Sequence, residues 1–115
     1  MTWEIKNDRP IYLQLVDYVY GDILSGHYSP GERLPSVRDL AKEASVNPNT
    51  MQKALQELEH SRILYSRGTS GRFVTDDLSL IASLKERFIQ KELDNFLSRL
   101  EAYGITRQDI LDRLQ

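Results

Sequence analysis

Two short stretches of helical periodicity, separated by only three residues, constrain this chain of 115 residues more than any other feature. The first covers residues 37–44, and Ser36 before it has Asp39 three positions later, which is the spacing of a capping box. Residues 45–47 leave room only for a tight turn before Pro48, whose fixed φ suits the first turn of a second helix. Two short helices on either side of such a turn indicate a helix-turn-helix unit.

The second helix of this pair has one apolar face and one polar face. Its apolar residues recur at i, i+3, i+4 and i+7, as in a helix that packs on a core: they are Met51, Ala54, Leu55 and Leu58. The side chains near its start are polar or basic: Asn47, Asn49, Thr50, Gln52 and Lys53. Asn and Gln amides can pair with adenine, and Thr can contact a base or a thymine methyl group. A lysine is better suited to a phosphate.

The flanking segments complete a small fold. Two adjacent apolar rows run from Pro10 to Gly26 and predict a core helix. Residues 63–66 and 72–75 are rich in β-branched and aromatic side chains, and the glycine-containing turn between them predicts a β-hairpin. Three helices and a two-stranded wing describe a winged helix-turn-helix of the α+β class, mainly α. We assign it to residues 1–76.

Residues 77–115 are predicted to form a helical tail. Asp76 and Asp77 favour a helix start, the helical period continues to Gly104, and Thr106 with Asp109 forms a capping box for a short last helix. The long helix has more apolar surface than the wing and one short helix can cover, so we predict that it pairs with a second copy. Folding back on the first helix within a monomer is the alternative. The predicted dimerisation residues are Ile81, Leu84, Phe88, Leu93, Phe96, Leu97 and Leu100.

The charge distribution is more informative than the total charge. A formal net charge of −2 argues against a generic nucleic-acid binder. Residues 33–74, however, contain seven basic and four acidic side chains, a net of +3, whereas the segments on both sides are acidic. A basic excess in the helix-turn-helix and hairpin is expected of a segment that faces phosphates. Chance clustering on a solvated surface would look the same, so charge alone does not decide.

Composition argues against several kinds of site. The chain has no cysteine, and its two histidines, His27 and His60, lie far apart, so no metal site is expected. We find no Ser/His/Asp grouping, phosphate-binding glycine loop or catalytic carboxylate pair, and we expect neither enzymatic activity nor a cofactor.

The first residues lack the order of a signal peptide, and no apolar run could span a bilayer. We therefore expect a cytoplasmic protein without membrane association.

Residues 26–74 resemble the DNA-binding domain of the GntR family of bacterial regulators. The resemblance lies in the run P-G-E-R-L-P-S-x-R-x-L-A, the helix N-x-x-T-x-x-x-A-L-x-x-L and a wing that ends in G-x-F-V. The motif PIYLQL at residues 10–15, with one long and one short helix after the wing, is similar to the YtrA-like subfamily. Together these features cover nearly the whole chain.

The resemblance implies which residues face DNA. Arg38 matches an arginine of the first short helix that contacts DNA in the family, and Gly71 matches the wing-tip glycine. With Arg67 and Arg72 flanking the tip, the predicted DNA-binding residues are Arg38, Asn47, Asn49, Thr50, Gln52, Lys53, Arg67, Gly71 and Arg72. The sequence departs from the family pattern at two places. Pro48 stands where an arginine or serine is frequent, and Thr69 stands where a second wing glycine is common.

These features predict a dimeric transcriptional repressor that binds double-stranded operator DNA containing an inverted repeat. The second short helix would enter the major groove, and the wing would contact the backbone or the minor groove. The alternative is a winged-helix module that docks a partner protein and binds no specific DNA. About 40 residues after the wing are too few for an enclosed pocket in one protomer, so no small-molecule effector is expected there. A ligand at the dimer interface stays open.

Overall fold

The computed structural model describes residues 3–115 as five helices and one two-stranded antiparallel sheet. The elements in chain order are α1 (Ile11–Leu24), α2 (Val37–Ala44), α3 (Pro48–His60), β1 (Leu64–Ser66), β2 (Arg72–Val74), α4 (Leu78–Glu101) and α5 (Arg107–Leu114). The predicted α+β, mainly helical class and the order of the elements are therefore confirmed. The chain divides into two compact units, of which one ends at Ile81 and the other spans Ala82–Gln115. The functional boundary that we drew after residue 76 stays a prediction.

Helix α3 lies at the centre of the first unit, where it packs against α1, α2 and β1. Its predicted apolar stripe is confirmed, because all four side chains are at most 1 % exposed. Leu15 and Val19 of α1 and Leu40 of α2 are completely buried in the same core. The helix that carries the polar N-terminal face is thus held on three sides.

Helix α1 contains a buried glutamine that its sequence pattern did not predict. Gln14 is 4 % exposed, and its amide accepts a hydrogen bond from the Lys6 N–H at 2.7 Å and donates to the carbonyl oxygens of Lys6 and Arg9 at 2.7 and 2.9 Å. Burial of an amide is tolerated because these partners replace water. The segment before α1 is therefore fixed to that helix. Ile11, which belongs to the apolar rows predicted for α1, is 43 % exposed and so is not part of the core.

Local hydrogen bonds define the turn between α2 and α3. Ser36 Oγ accepts from the Asp39 N–H at 3.1 Å, which is one half of the predicted capping box. Ser45 ends α2 in the left-handed conformation, with φ 56°, and the Val46 N–H then reaches the Ala41 carbonyl at 2.9 Å. Residues 45–47 thus form the predicted three-residue turn.

The wing is a short antiparallel hairpin with a further segment along its edge. Leu64 pairs with Val74, and both are buried, so this side of the hairpin faces the core. On the other edge of β2, the Leu34 N–H donates to the Arg72 carbonyl and the Gly31 N–H to the Val74 carbonyl, both at 2.9 Å. Residues 31–34, which precede α2, therefore extend the sheet along β2.

The second unit contains most of α4 and all of α5. Gly104, with φ 74°, ends the turn after α4, and the Ile105 N–H donates to the Leu100 carbonyl at 3.2 Å. The predicted capping box of α5 is confirmed: the Asp109 N–H donates to Thr106 Oγ1 at 3.1 Å, and the Thr106 N–H donates to Asp109 Oδ2 at 2.9 Å. No helix within residues 3–115 is both long and apolar enough to cross a membrane.

This capping box predicts a pH dependence of α5. The hydrogen bonds from Thr106 hold the pKa of the Asp109 carboxyl below its ordinary value. A lowered folded-state pKa means that the stabilisation is complete above the unfolded pKa and is lost as the pH falls through the folded value. We expect the protection factors of the amide protons of residues 107–114, which are corrected for the slower intrinsic exchange in acid, to fall as the pH drops below about 3.9, the ordinary value for aspartate.

Two variants separate the cap from a general loss of negative charge. In Asp109→Asn the acid-induced fraying should largely disappear, since the titrating group is gone. Asp112→Asn removes the same charge from the same helix and should retain the wild-type pH profile. Identical profiles for wild type and Asp109→Asn, measured by NMR hydrogen exchange, would contradict the assignment.

Candidate nucleic-acid interface

The start of α3 presents the polar residues predicted from the sequence. Asn47 and Asn49 are exposed, whereas Thr50 is half-buried on the same turn. Asn47 Oδ1 accepts a hydrogen bond from the Asn49 N–H at 2.8 Å, so its oxygen caps the helix and only its NH₂ group remains for a ligand. The first turn therefore exposes amide and hydroxyl groups of the kind that read base edges.

Two exposed cations of the helix-turn-helix, one on each helix, have different environments. Lys53 is exposed, and its Nζ lies 3.9 Å from the centre of the Tyr12 ring, a cation–π contact between α3 and α1 that limits the mobility of the lysine. Arg38 on α2 is exposed and pairs with no carboxylate among residues 3–115. Arg38 forms no ion pair with Asp39 or Glu43 of its own helix, so no contact of this kind accounts for an arginine at this position. Its charge is available to an anionic ligand.

The outer side of the wing combines aromatic and basic groups. The rings of Tyr65 and Phe73 stack across the two strands with centroids 5.8 Å apart, and both side chains are half-buried. The guanidinium of Arg67 lies 5.2 Å from the centre of the Phe73 ring. The stack therefore helps to hold the Arg67 charge at the wing tip, where the backbone of Gly68 and Gly71 adopts positive φ.

Arg33 is a basic residue of this region that the site prediction did not contain. Its backbone forms a bridge to Phe73 on the edge of β2, and its guanidinium lies over Gly71. A Cβ atom at Gly71 would be only 3.0 Å from Arg33 Nε. The local charge count included Arg33, but only the pairing of residues 31–34 with β2 shows that it belongs to the wing.

Arg72 has a different environment from Arg67. Its side chain is 16 % exposed, forms an ion pair through Nε with Glu59 Oε1, and donates from Nη1 to Gln52 Oε1 at 3.2 Å. The alternation of β2 explains this orientation, because Arg72 lies on the same side of the strand as the buried Val74. Among the nine predicted DNA-binding residues, Gln52 and Arg72 are therefore hydrogen-bonded to each other, and the Arg72 side chain packs toward α3.

The contact between Gly71 and Arg33 yields a prediction for Gly71→Ala. At φ 113° an alanine is strained, and its Cβ would displace the Arg33 guanidinium. We expect a loss of about 2–3 kcal/mol in the free energy of unfolding, the upper range for a strained backbone. Urea denaturation would measure the loss, and NMR would show the movement of the Arg33 Nε–H resonance.

Gly68→Ala is the matched control for this prediction. Gly68 has φ 51°, in the left-handed helical region, and an added Cβ would meet no atom within 4 Å. We expect it to cost about 1 kcal/mol and to leave the Arg33 resonance unchanged. Equal losses for the two alanine variants would show that the contact with Arg33 has no energetic consequence.

The geometry of the first unit defines the class of protein. A helix-turn-helix whose second helix exposes amides at its start, beside a wing with a basic tip, is a winged helix-turn-helix DNA-binding domain.

Comparison with known proteins assigns the family. The model of the "Bacterial regulatory proteins, gntR family" matches residues 11–74. The chain is 30% identical over 115 residues to the uncharacterized HTH-type transcriptional regulator YhcF of Bacillus subtilis, covering 100% of this chain and 95% of that one. It is 36% identical over 101 residues to the HTH-type transcriptional repressor YtrA of the same organism, covering 87% of this chain and 78% of YtrA. A solved GntR family regulator from Listeria monocytogenes superposes with a TM-score of 0.89 at 34% identity and covers 96% of both chains.

This chain belongs to the GntR family and is a DNA-binding transcriptional regulator. The resemblance to the GntR family and to YtrA that the sequence motifs indicated is confirmed. The relatives are regulators rather than enzymes.

Proposed function

We propose that the chain is a homodimeric repressor that binds an inverted-repeat operator. The observation that carries this proposal is the exposed polar start of α3 beside the basic wing, on a chain that carries a helical tail with exposed apolar residues. Each protomer would read one half-site, and the tail would set the distance between the two recognition helices. A dimer places them about 34 Å apart, one turn of the duplex, or a multiple of it.

The proposed contacts divide into base contacts and phosphate contacts. Asn49, Thr50 and Gln52 would meet base edges in the major groove, and the free NH₂ group of Asn47 would join them. The exposed cations would bind the backbone on both sides of the groove and so fix the register. These are Arg38, Lys53, Arg67 and, as an addition from the structure, Arg33. Gly71 would allow the wing backbone to approach the duplex closely.

The exposed apolar residues of the tail support the dimer. Ile89, Leu93 and Phe96 of α4 are 48 %, 46 % and 41 % exposed. Phe88 is 37 % exposed and Ile81, Leu97 and Leu100 are half-buried, whereas Leu84 is 6 % exposed and has little surface left for a partner. Several large apolar side chains exposed on one helix are typical of a surface that another molecule covers.

The groove between the C-terminal half of α4 and α5 supports a second copy as the covering molecule. It has a volume of about 610 Å³, is lined by Leu93, Phe96 and Leu114 among others, and has Asp109 and Arg113 in its lining. An interface with twofold symmetry brings the same patch of both chains together. A patch that contains both an acidic and a basic residue can therefore complement itself.

Repression is proposed from the relatives and from the expected mode of binding. YtrA is named a repressor and aligns with most of this chain. A dimer that occupies an operator within a promoter would block access to that DNA, and no catalytic step or cofactor is needed.

Fluorescence anisotropy with the DNA upstream of the protein's own gene tests the proposed contacts. Arg38→Ala should weaken binding to all sequences alike and reduce the slope of log K against log salt by about 1, whereas Gln52→Ala should relax base preference at one position. Lys85→Ala, an exposed cation on α4, is the control and should bind as wild type. If Arg38→Ala and Gln52→Ala both retain wild-type specific binding, the site is wrong. If the protein binds no DNA even at low salt, the protein-interaction alternative is favoured.

A further inference from the structure

The ion pair between the wing and α3 bears directly on a proposed base-reading residue. Glu59 Oε1 accepts hydrogen bonds from Arg72 Nε and, at 3.2 Å, from Ser66 Oγ. Arg72 Nη1 in turn donates to Gln52 Oε1 at 3.2 Å. The chain of contacts therefore begins on the last turn of α3, passes through the wing and returns to the first half of α3.

The chemistry of these groups fixes the orientation of the Gln52 amide. A guanidinium has only donors, so the amide oxygen rather than the NH₂ group must face Arg72. The NH₂ group of Gln52 then points away from Arg72. A glutamine held in this way presents its NH₂ group, with two donors, on the side away from Arg72, whereas a freely rotating one could present either end.

Arg72 is poorly placed to bind a phosphate. Its guanidinium is engaged on two sides, and its side chain is 16 % exposed, against 29 % for Glu59. The carboxylate also neutralises its charge. A phosphate could reach only the guanidinium N–H groups that Glu59 and Gln52 leave free, and it would meet the negative charge of Glu59 beside them.

We propose that Arg72 is a positioning residue that, held by Glu59, orients Gln52 as a hydrogen-bond donor and thereby selects guanine. In the major groove guanine offers two acceptors, N7 and O6, whereas cytosine offers only a donor. At the half-site position that Gln52 reads, the affinity is therefore highest for an operator with guanine and lowest for one with cytosine. This inference rests on the proposed function, in which Gln52 faces a base, and it replaces the direct DNA contact that the sequence predicted for Arg72.

The test measures binding to the selected operator with all four bases substituted symmetrically at each half-site position. Wild type should prefer guanine to cytosine by at least about fivefold at one position, and Gln52→Ala identifies that position by losing the preference. Arg72→Lys keeps the charge but cannot bridge two acceptors in the same geometry. It should reduce the preference there to less than about twofold with an unchanged salt slope.

Glu59→Ala provides a second variant with the opposite charge effect. It should relax the same base position, because Arg72 loses its anchor, while overall DNA affinity stays equal or rises, because a negative charge is removed. Arg87→Lys, the same type of change on an exposed arginine of α4, should alter neither quantity. Thermal unfolding of each variant verifies that it is folded under the conditions of the measurement.

The possible outcomes separate this inference from the proposed function. Arg72→Lys and Glu59→Ala with wild-type base preference would overturn the inference. Arg72→Ala with uniformly weaker binding and a salt slope reduced by about 1 would also overturn it, because that is the signature of a phosphate contact. If instead Gln52→Ala has no base-specific effect, or wild type shows no preference at all, the proposed function fails and the inference fails with it.

Discussion

The substitution Phe96→Asp is expected to convert the proposed homodimer into a monomer and to weaken operator binding at least about a hundredfold. Phe96 lies in the groove between α4 and α5 and is 41 % exposed in the single chain. A carboxylate in the middle of an apolar interface loses its hydration without gaining a partner, which is costly. Operator binding falls because the second half-site is no longer bound within the same complex, an advantage typically worth 10²–10⁴ in affinity.

Sedimentation equilibrium would measure the oligomeric state, and anisotropy would measure the affinity. Ser98→Asp introduces the same charge on a different face of α4, where the residue is exposed, and should stay dimeric. The monomeric Phe96→Asp protein should still bind a single half-site as weakly as one wild-type protomer does. A Phe96→Asp protein that remains dimeric would place the dimer interface elsewhere.

The substitution Leu55→Ala is expected to lower the free energy of unfolding by about 2–5 kcal/mol, the range for large-to-small changes in a core. Leu55 is 1 % exposed on the central helix α3. Removing its side chain leaves a cavity beneath the helix that carries the proposed base contacts. Because a domain of this size is stable by only about 5–15 kcal/mol, this loss is a large share of the total.

Urea denaturation would measure the effect, with Gln56→Ala as the neighbouring control. Gln56 is exposed on the same helix, so truncating it should change the stability by less than about 0.5 kcal/mol. At temperatures where Leu55→Ala remains folded, it should bind operator with wild-type affinity. At temperatures where it begins to unfold, its binding should become weaker. Similar stabilities for the two variants would contradict the assigned core of α3.

The helices could be predicted from sequence because their signals are local. The capping residues Asn47 and Thr106 act within three positions of themselves, and the apolar stripe of α3 repeats along a single element. Such patterns do not depend on what the helix packs against. The three-residue turn between α2 and α3 was predictable for the same reason.

The details of the candidate site were harder to predict because they depend on contacts between distant residues. Arg72 meets Glu59 and Gln52, which precede it by 13 and 20 positions, and the sequence alone indicated only a basic residue near the wing tip. One local signal was available, since Arg72 and Val74 share a face of an alternating strand. The environments of Arg33 and Gln14 gave no such signal. Arg33 itself lies in a segment without a periodic pattern, and so do Lys6 and Arg9, the partners of Gln14.

The most direct test of the account is the operator that the pure protein selects from random double-stranded DNA. We expect an inverted repeat whose half-site centres are separated by one helical turn or a whole multiple of it, with footprinting showing protection of both halves by one dimer. Enrichment of a single asymmetric site, or of no sequence, would contradict the central claim that this chain is a dimeric reader of operator DNA.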